Sequence, residues 1–300
     1  MSGAGYPRWL REIHDPPEIL HVRGTLLEVD AAAVAIVGTR AATPYGLGVA
    51  GRLAEELAGC GITVVSGLAE GIDAAAHEGA LKAGGRTIAV VGHGLARIYP
   101  PQHQKLADRI AESGCVLSEF PMEEKPNPWN FPKRNRIISG LSLGVVVVEA
   151  PFKSGALITA RFAMEQGREV FAVPGPVYSR QSEGALALIK DGARLVCGVE
   201  DILEELAPHL REIVRATGHF EAAGREISSS TARSLAPAGL EMTTEERVVF
   251  QAVPIGSGKG LEAIARATAL QPDRLLPVLT GLEIKGLVRQ SPGRGFSRLN

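Results

Sequence analysis

Trp129-Asn130-Phe131-Pro132-Lys133-Arg134-Asn135-Arg136-Ile137-Ile138-Ser139-Gly140, soon followed by Val145-Val146-Val147-Val148-Glu149-Ala150, is the stretch whose reading decides the fold. Four consecutive valines ending in a carboxylate read as a strand buried on both faces, since a half-exposed strand alternates polar and apolar residues. A strand of that kind belongs to a parallel sheet, and ligands of open α/β sheets bind in the crevice outside the carboxyl ends of the strands. Just beyond lies Lys153-Ser154-Gly155-Ala156-Leu157-Ile158-Thr159-Ala160-Arg161, where Ser154 is placed to cap a helix whose first N–H groups face the same crevice. Lys133, Arg134 and Arg136, the rings of Trp129 and Phe131, and a helix N-terminus thus converge on one sheet edge. That combination suits a phosphate-bearing ligand.

Working outward, the same grammar repeats. Val34 to Val37, Ile62 to Val65, Thr87 to Val91, Cys115 to Ser118, Val145 to Glu149, Glu169 to Val173 and Arg194 to Cys197 read as strands separated by helix-length segments. Strands alternating with helices predict a doubly wound, mostly parallel sheet covered on both faces, an extended Rossmann-like α/β fold. Pro44 to Cys60 is expected to be a helix, as are the segment through His77 and Lys82 and the segment Glu200 to Leu206. Residues 1–33 hold Tyr6-Pro7 and Asp15-Pro16-Pro17, which preclude one long helix and predict a lead-in packed on the sheet edge. The sheet domain is expected to span residues 34–210. Residues 211–241 turn to Ala, Gly, Ser and Glu without a period and read as a linker. In 242–300 three short helical patterns precede a hairpin pairing Leu287-Val288-Arg289-Gln290 with Phe296 to Leu299, the plan of a winged helix.

Composition narrows the function. With 300 residues, 45 % hydrophobic and 22 % charged, the chain is long enough for one large core and a small second domain. A formal net charge of −1 means that any polyanion must be held by a local patch. Cys60, Cys115 and Cys197 are widely spaced with no Cys-x-x-Cys pair, which reads as reduced core thiols rather than a disulfide framework or zinc site. No apolar run approaches the roughly 20 residues of a membrane span, and no signal pattern opens the chain, so a cytoplasmic protein is expected.

Several motifs have plainer readings. Gly46-Leu47-Gly48-Val49-Ala50-Gly51 fits G-x-G-x-x-G, but its first glycine lies too far beyond Val37 for a dinucleotide loop; these glycines are expected to let a helix pack close to the sheet. Gly256-Ser257-Gly258-Lys259 lacks the earlier Walker glycine, since Val253 stands there. Asp73 and His77, four apart, share a helix face and could ligate a metal, yet no third ligand is well spaced; a helix-start carboxylate and a satisfied histidine are expected. No nucleophile and base assemble. The basic run itself could be a solvated helix start, but its interleaved aromatics favour stacking on bases with cations along the phosphates. Arg40, in the first strand's loop, would join it. In the wing, Arg289, Arg294 and Arg298 could meet phosphates.

At these residues the chain resembles the DNA-processing protein A family, also called Smf. The blocks are Ala35-Ile36-Val37-Gly38-Thr39-Arg40, Val64-Val65-Ser66-Gly67-Leu68-Ala69, Gly71-Ile72-Asp73, Phe131 to Gly140, Val148-Glu149-Ala150, Ser154 to Ala160 and Val173-Pro174-Gly175. The resemblance runs from Tyr6 to about Gly198. It implies an extended Rossmann-like domain that binds and protects incoming single-stranded DNA without converting it, a homodimer, and a role in loading the RecA recombinase during natural transformation. Family DNA contacts would map onto Arg40, Lys133, Arg134, Asn135, Arg136 and the Ser154-Gly155 turn. The full set expected at the DNA site is Gly38, Thr39, Arg40, Phe131, Lys133, Arg134, Asn135, Arg136, Glu149, Lys153, Ser154 and Gly155, with no catalytic residue, metal or cofactor. Departures from the family are Thr39 for Ser, His93 for Ser, Leu186 for Asn, and Glu70 where an arginine is usual, which sets a repulsive charge near the phosphates. A dimer face is expected after Pro174, around Leu186, Leu188 and Ile189. The alternative from another class is a nucleotide-processing phosphoribohydrolase of the lysine-decarboxylase-like group, for which the Pro-Gly-Gly-x-Gly-Thr loop is not found.

Overall fold

The computed structural model describes residues 6–217 and, in the C-terminal region, residues 249–250, 252–254, 261–268, 270, 275, 278–279, 282, 288–291 and 295–298. The chain divides into two compact units, Met1–Gly224 and Arg225–Asn300.

In the first unit eight strands form one sheet: β1 (His21–Gly24), β2 (Ala33–Val37), β3 (Thr63–Ser66), β4 (Thr87–Val90), β5 (Cys115–Ser118), β6 (Gly144–Val147), β7 (Glu169–Ala172) and β8 (Arg194–Leu195). Their order is β1-β5-β4-β3-β2-β6-β7-β8. All neighbours are parallel except β1, which runs antiparallel to β5 with His21 opposite Ser118. The proline-broken lead-in therefore not only packs on the sheet edge but supplies its outermost strand. From β2 the chain winds outward through β3, β4 and β5, then returns to the other side of β2 with β6. That reversal between β2 and β6 is the topological switch point, where strand carboxyl ends leave a crevice.

Successive strand residues point to opposite faces, and each face has its own core. Val34, Ile36, Val64, Val146 and Phe171 pack with the helices α2 (Pro44–Gly59), α3 (Ile72–Lys82) and α8 (Val199–Thr217). Ala35, Val37, Val65, Val145 and Val147 pack with α5 (Asn130–Gly140), α6 (Gly155–Glu165) and α7 (Glu183–Lys190). Among the described residues two further helices belong to this unit, the short α1 (Arg8–Arg11) and α4 (Gln104–Ser113), whose Leu106, Ala107 and Ile110 cover Ala89 and Val116.

Three expectations are corrected. The last helix does not stop at Leu206: it runs to Thr217, past the linker's expected start at residue 211, because Ile202, Leu206, Leu210 and Ile213 continue a buried stripe across Pro208. The Gly46–Gly51 glycines serve contacts other than helix to sheet: a Cβ on Gly46 would lie 2.3 Å from the Glu149 carboxylate, and Gly51 presents its carbonyl to α3, where a Cβ on Gly79 would approach it within 2.1 Å. Of the cysteines, Cys115 is buried and Cys60 half-buried, but Cys197 is exposed. Of the residues expected at a dimer face, Leu188 is buried in the core, Ile189 packs against it, and Leu186 is half-buried.

His77 is satisfied at only one of its two nitrogens, by a strand residue rather than an acid, since its buried Nε2 has no partner among the described residues. Thr87 donates its hydroxyl to the Val64 carbonyl, so the same oxygen accepts from His77 Nδ1 at 2.7 Å and holds a neutral ring. Burial first, then the nearby His103 and Arg134 charges, lower its pKa from 6.5 to about 3. The unfolded chain therefore binds the extra proton between those values, and acid favours unfolding. Lowering the pH from 7 to 5 is expected to reduce unfolding free energy by about 2 kcal/mol through this residue alone. Denaturant titrations at the two pH values should show that difference in the wild type and not in His77→Gln.

In the second unit the described residues include a helix, α9 (Leu261–Thr268), and a hairpin, β9 (Val288–Ser291) with β10 (Gly295–Arg298), in which Gln290 pairs with Phe296. Val249, Phe250, Val253, Ile264, Leu275, Leu279, Leu282, Val288 and Phe296 form its core. Arg298 stacks over Phe250 at 4.9 Å and donates from Nε to the Val253 carbonyl, so it is turned inward, whereas Arg289 is exposed. Gly256–Lys259, the third helix's charged residues and Arg294 lie outside the described residues.

Candidate nucleic-acid interface

At the switch point an open crevice of about 1070 Å³ is walled by the loops after β2, β3, β4, β5 and β6 and by the first turns of α5 and α6. That is at the upper end of ligand-site volumes of roughly 300–1,000 Å³. Among the described residues five cationic side chains line it, Arg40, Arg97, Lys125, Lys153 and Arg134, against one carboxyl, Asp73. A nearly neutral chain thus concentrates positive charge where strand ends meet.

The β2 loop is held from behind. Thr39 N donates to the Glu149 carbonyl at 2.7 Å and Ile72 N to the Thr39 carbonyl at 3.3 Å. Gly71, at φ +79°, lets its backbone pass so close that a Cβ would lie 2.4 Å from the Thr39 carbonyl. So braced, the loop presents Arg40 to solvent, with its guanidinium 5.4 Å over the Phe131 ring. Tyr99 lies 6.2 Å from the same ring. Across the crevice Ser154 caps α6, its hydroxyl accepting from Ala156 N at 3.3 Å, and nothing would obstruct a Cβ on Gly155. The helix start is therefore open to an anion, with Lys153 beside it. Asn135 donates to the Gly155 carbonyl at 3.2 Å and ties α5 to this turn.

Arg134 forms the floor. It is only 5 % exposed and donates to the carbonyls of Gly67, at 2.7 Å, and Val90. Its Nε has no protein partner among the described residues. Burial, partly countered by Asp73, lowers its pKa to about 10, so it stays charged at neutral pH. Asp73, in the first turn of α3, accepts from Ala69 N at 3.3 Å; its pKa is raised because burial outweighs the Arg134 charge. An arginine whose field reaches the crevice from a water-poor floor acts over a longer range than one in bulk solvent.

Of the residues expected at the site, Gly38, Thr39, Arg40, Phe131, Arg134, Asn135, Lys153, Ser154 and Gly155 line this crevice. Three do not. Glu149 is buried behind the β2 loop and accepts from Thr43 N at 2.8 Å and Thr43 Oγ1 at 2.6 Å, so it anchors the start of α2. Arg136 grips Glu119 with both terminal nitrogens, at 2.7 and 2.9 Å, and reaches Asp15 through Nε at 2.9 Å. Lys133 is directed at Glu119, 3.4 Å away, and lies over Phe120. Both cations turn away from the crevice because a helix advances about 100° per residue. Glu70 is also off its walls and accepts a hydrogen bond from Gln102 Nε2. Arg97, Tyr99 and Lys125 were not foreseen, although each follows a strand's carboxyl end, the same signal that singled out Arg40.

Fold and site together define a Rossmann-like binding protein whose cationic crevice is arranged for a phosphate-bearing ligand. Residues 1–207 match the family described as DNA recombination-mediator protein A, and residues 235–294 the DprA winged helix domain. The chain belongs to the DNA recombination-mediator protein A family. It is 50 % identical to DNA processing protein DprA of Bacillus subtilis over 208 residues, 69 % of this chain and 70 % of that one, and 40 % identical to Protein Smf of Escherichia coli over 98 % of this chain and 75 % of that one. Among solved structures it is similar to DprA of Streptococcus pneumoniae, with a TM-score of 0.65 and 45 % identity over 68 % of this chain and 71 % of that one. It is also similar to DNA processing protein A of Helicobacter pylori, described for its single-stranded DNA binding mode, with a TM-score of 0.63 and 33 % identity over 69 % of this chain and 94 % of that one. The family assignment removes the ground for the phosphoribohydrolase alternative.

Proposed function

We propose that this chain binds single-stranded DNA in the switch-point crevice, protects it, and hands it to the RecA recombinase in natural transformation, as a cytoplasmic homodimer without turnover. The observation that carries the reading is that four exposed cations, Arg40, Arg97, Lys125 and Lys153, line one crevice with the Phe131 ring and buried Arg134. Cations track a phosphate backbone while an aromatic face accepts any base, which favours single strands over duplexes and is tolerant of sequence. The H. pylori relative, which covers most of the sheet domain, supports the same ligand.

The test is fluorescence anisotropy of labelled oligo-dT and of a duplex of equal length across a salt series. Strand-selective, salt-sensitive binding is expected. Arg40→Ala should weaken it about tenfold and reduce the slope of log affinity against log salt by about 0.7, the contribution of one neutralised phosphate. Equal affinity in wild type and Arg40→Ala would reject the site. Faster RecA filament growth on the covered strand than on the bare one would support the loading role, and the mass in solution decides the dimer.

A further inference from the structure

Phe131 points into the crevice, but two residues earlier Trp129 stands 83 % exposed at the N-cap of α5. Indole is among the side chains with most apolar area to bury, yet the local structure holds this one out. Pro126 and Pro128 stiffen the approach. Asn127 accepts from Trp129 N through its side chain at 3.1 Å and from Asn130 N through its carbonyl at 2.9 Å, so the entry to the helix is fixed. Lys125, Pro126 and Pro128 line the crevice, which puts Trp129 on its lip. One helical turn further on, Lys133 keeps a side chain that is 55 % exposed. The lip therefore carries an exposed aromatic face four residues after exposed Lys125, which lines the crevice, while Lys133 is directed at Glu119.

Resting on the single-strand reading of the crevice, we infer that Trp129 is a second stacking position, which takes the base of the nucleotide just outside the crevice while Lys125 faces its flanking phosphate. A strand would then be gripped by two rings in succession. Stacking on such a ring is sequence-tolerant. It also explains why a large apolar side chain is braced in water beside the crevice rather than packed.

The full chain contains only two tryptophans. Trp9 is buried, donates to the Ala31 carbonyl at 2.8 Å, and lies under Arg8 and Arg168, so strand-induced quenching reports on Trp129. Titration of the full chain with dT12 is expected to quench tryptophan emission at saturation. Trp129→Ala should bind dT12 about tenfold more weakly with an unchanged salt slope, and Trp129→Phe should recover affinity to within about threefold. Saturation without quenching, or a Trp129→Ala affinity equal to wild type, overturns the inference while leaving the crevice as the DNA site, and assigns the ring to a protein partner instead. Failure of the wild-type chain to bind dT12 overturns both readings.

Discussion

Arg134→Ala is expected to lower the midpoint of thermal unfolding by about 10 °C and to abolish oligonucleotide binding by the protein that remains folded. The side chain is one of the few fully buried charges in the sheet domain. It bridges the Gly67 and Val90 carbonyls at the ends of two neighbouring strands, and it is the cation nearest in effect to the buried Asp73. Truncation leaves two carbonyls and a buried acid without their cation. Breaking a buried charged contact in this way costs about 3–5 kcal/mol, and in a domain of this size each kcal/mol moves the midpoint by roughly 2–4 °C. The crevice loses its floor charge at the same time. Calorimetry and anisotropy on one preparation measure both effects. A variant that melts like wild type would show that the carbonyls are satisfied by other means, and one that binds like wild type would remove Arg134 from the DNA site.

Arg136→Ala, two residues away, is expected to separate those effects. Arg136 and Glu119 are each 7 % exposed and joined by a bidentate bond, with Asp15 on the remaining nitrogen. Two parallel charge-assisted bonds make this a strong ion pair. The cost of its loss should be about 3 kcal/mol, at the low end for a buried pair, because Lys133 remains 3.4 Å from Glu119 and Asp15 returns to water. The affinity of the folded fraction for oligo-dT, and its salt slope, should stay within twofold of wild type. Weakened binding at full stability would return Arg136 to the DNA contacts, where sequence alone placed it.

The pair of arginines marks the boundary of what local sequence can carry. The four valines, the alternation of strands with helices and the Ser154 cap rest on short-range rules, namely pleat period, helix period and capping chemistry. The structure reproduces the strand positions to within a residue or two. The position of the crevice followed too, since ligand sites in such sheets lie beyond strand carboxyl ends. The sheet domain's last helix runs past Leu206, across Pro208, because the buried stripe of Ile202, Leu206, Leu210 and Ile213 continues.

Which charges face the crevice was decided only in three dimensions. Lys133, Arg134 and Arg136 are equivalent as a basic run. Their fates were set by Glu119 and Asp15 on one side and by the Gly67 and Val90 carbonyls on the other, groups brought near by strand order rather than by spacing. Glu149 was likewise claimed by Thr43, more than a hundred residues earlier. A charge in water costs little wherever it points, whereas a buried one must be paired. The amino-acid sequence by itself determined the sheet, its covering helices and the place of the crevice. The tertiary structure decided which cations remain free to meet a phosphate, because that depends on the partners that distant segments bring within hydrogen-bonding distance.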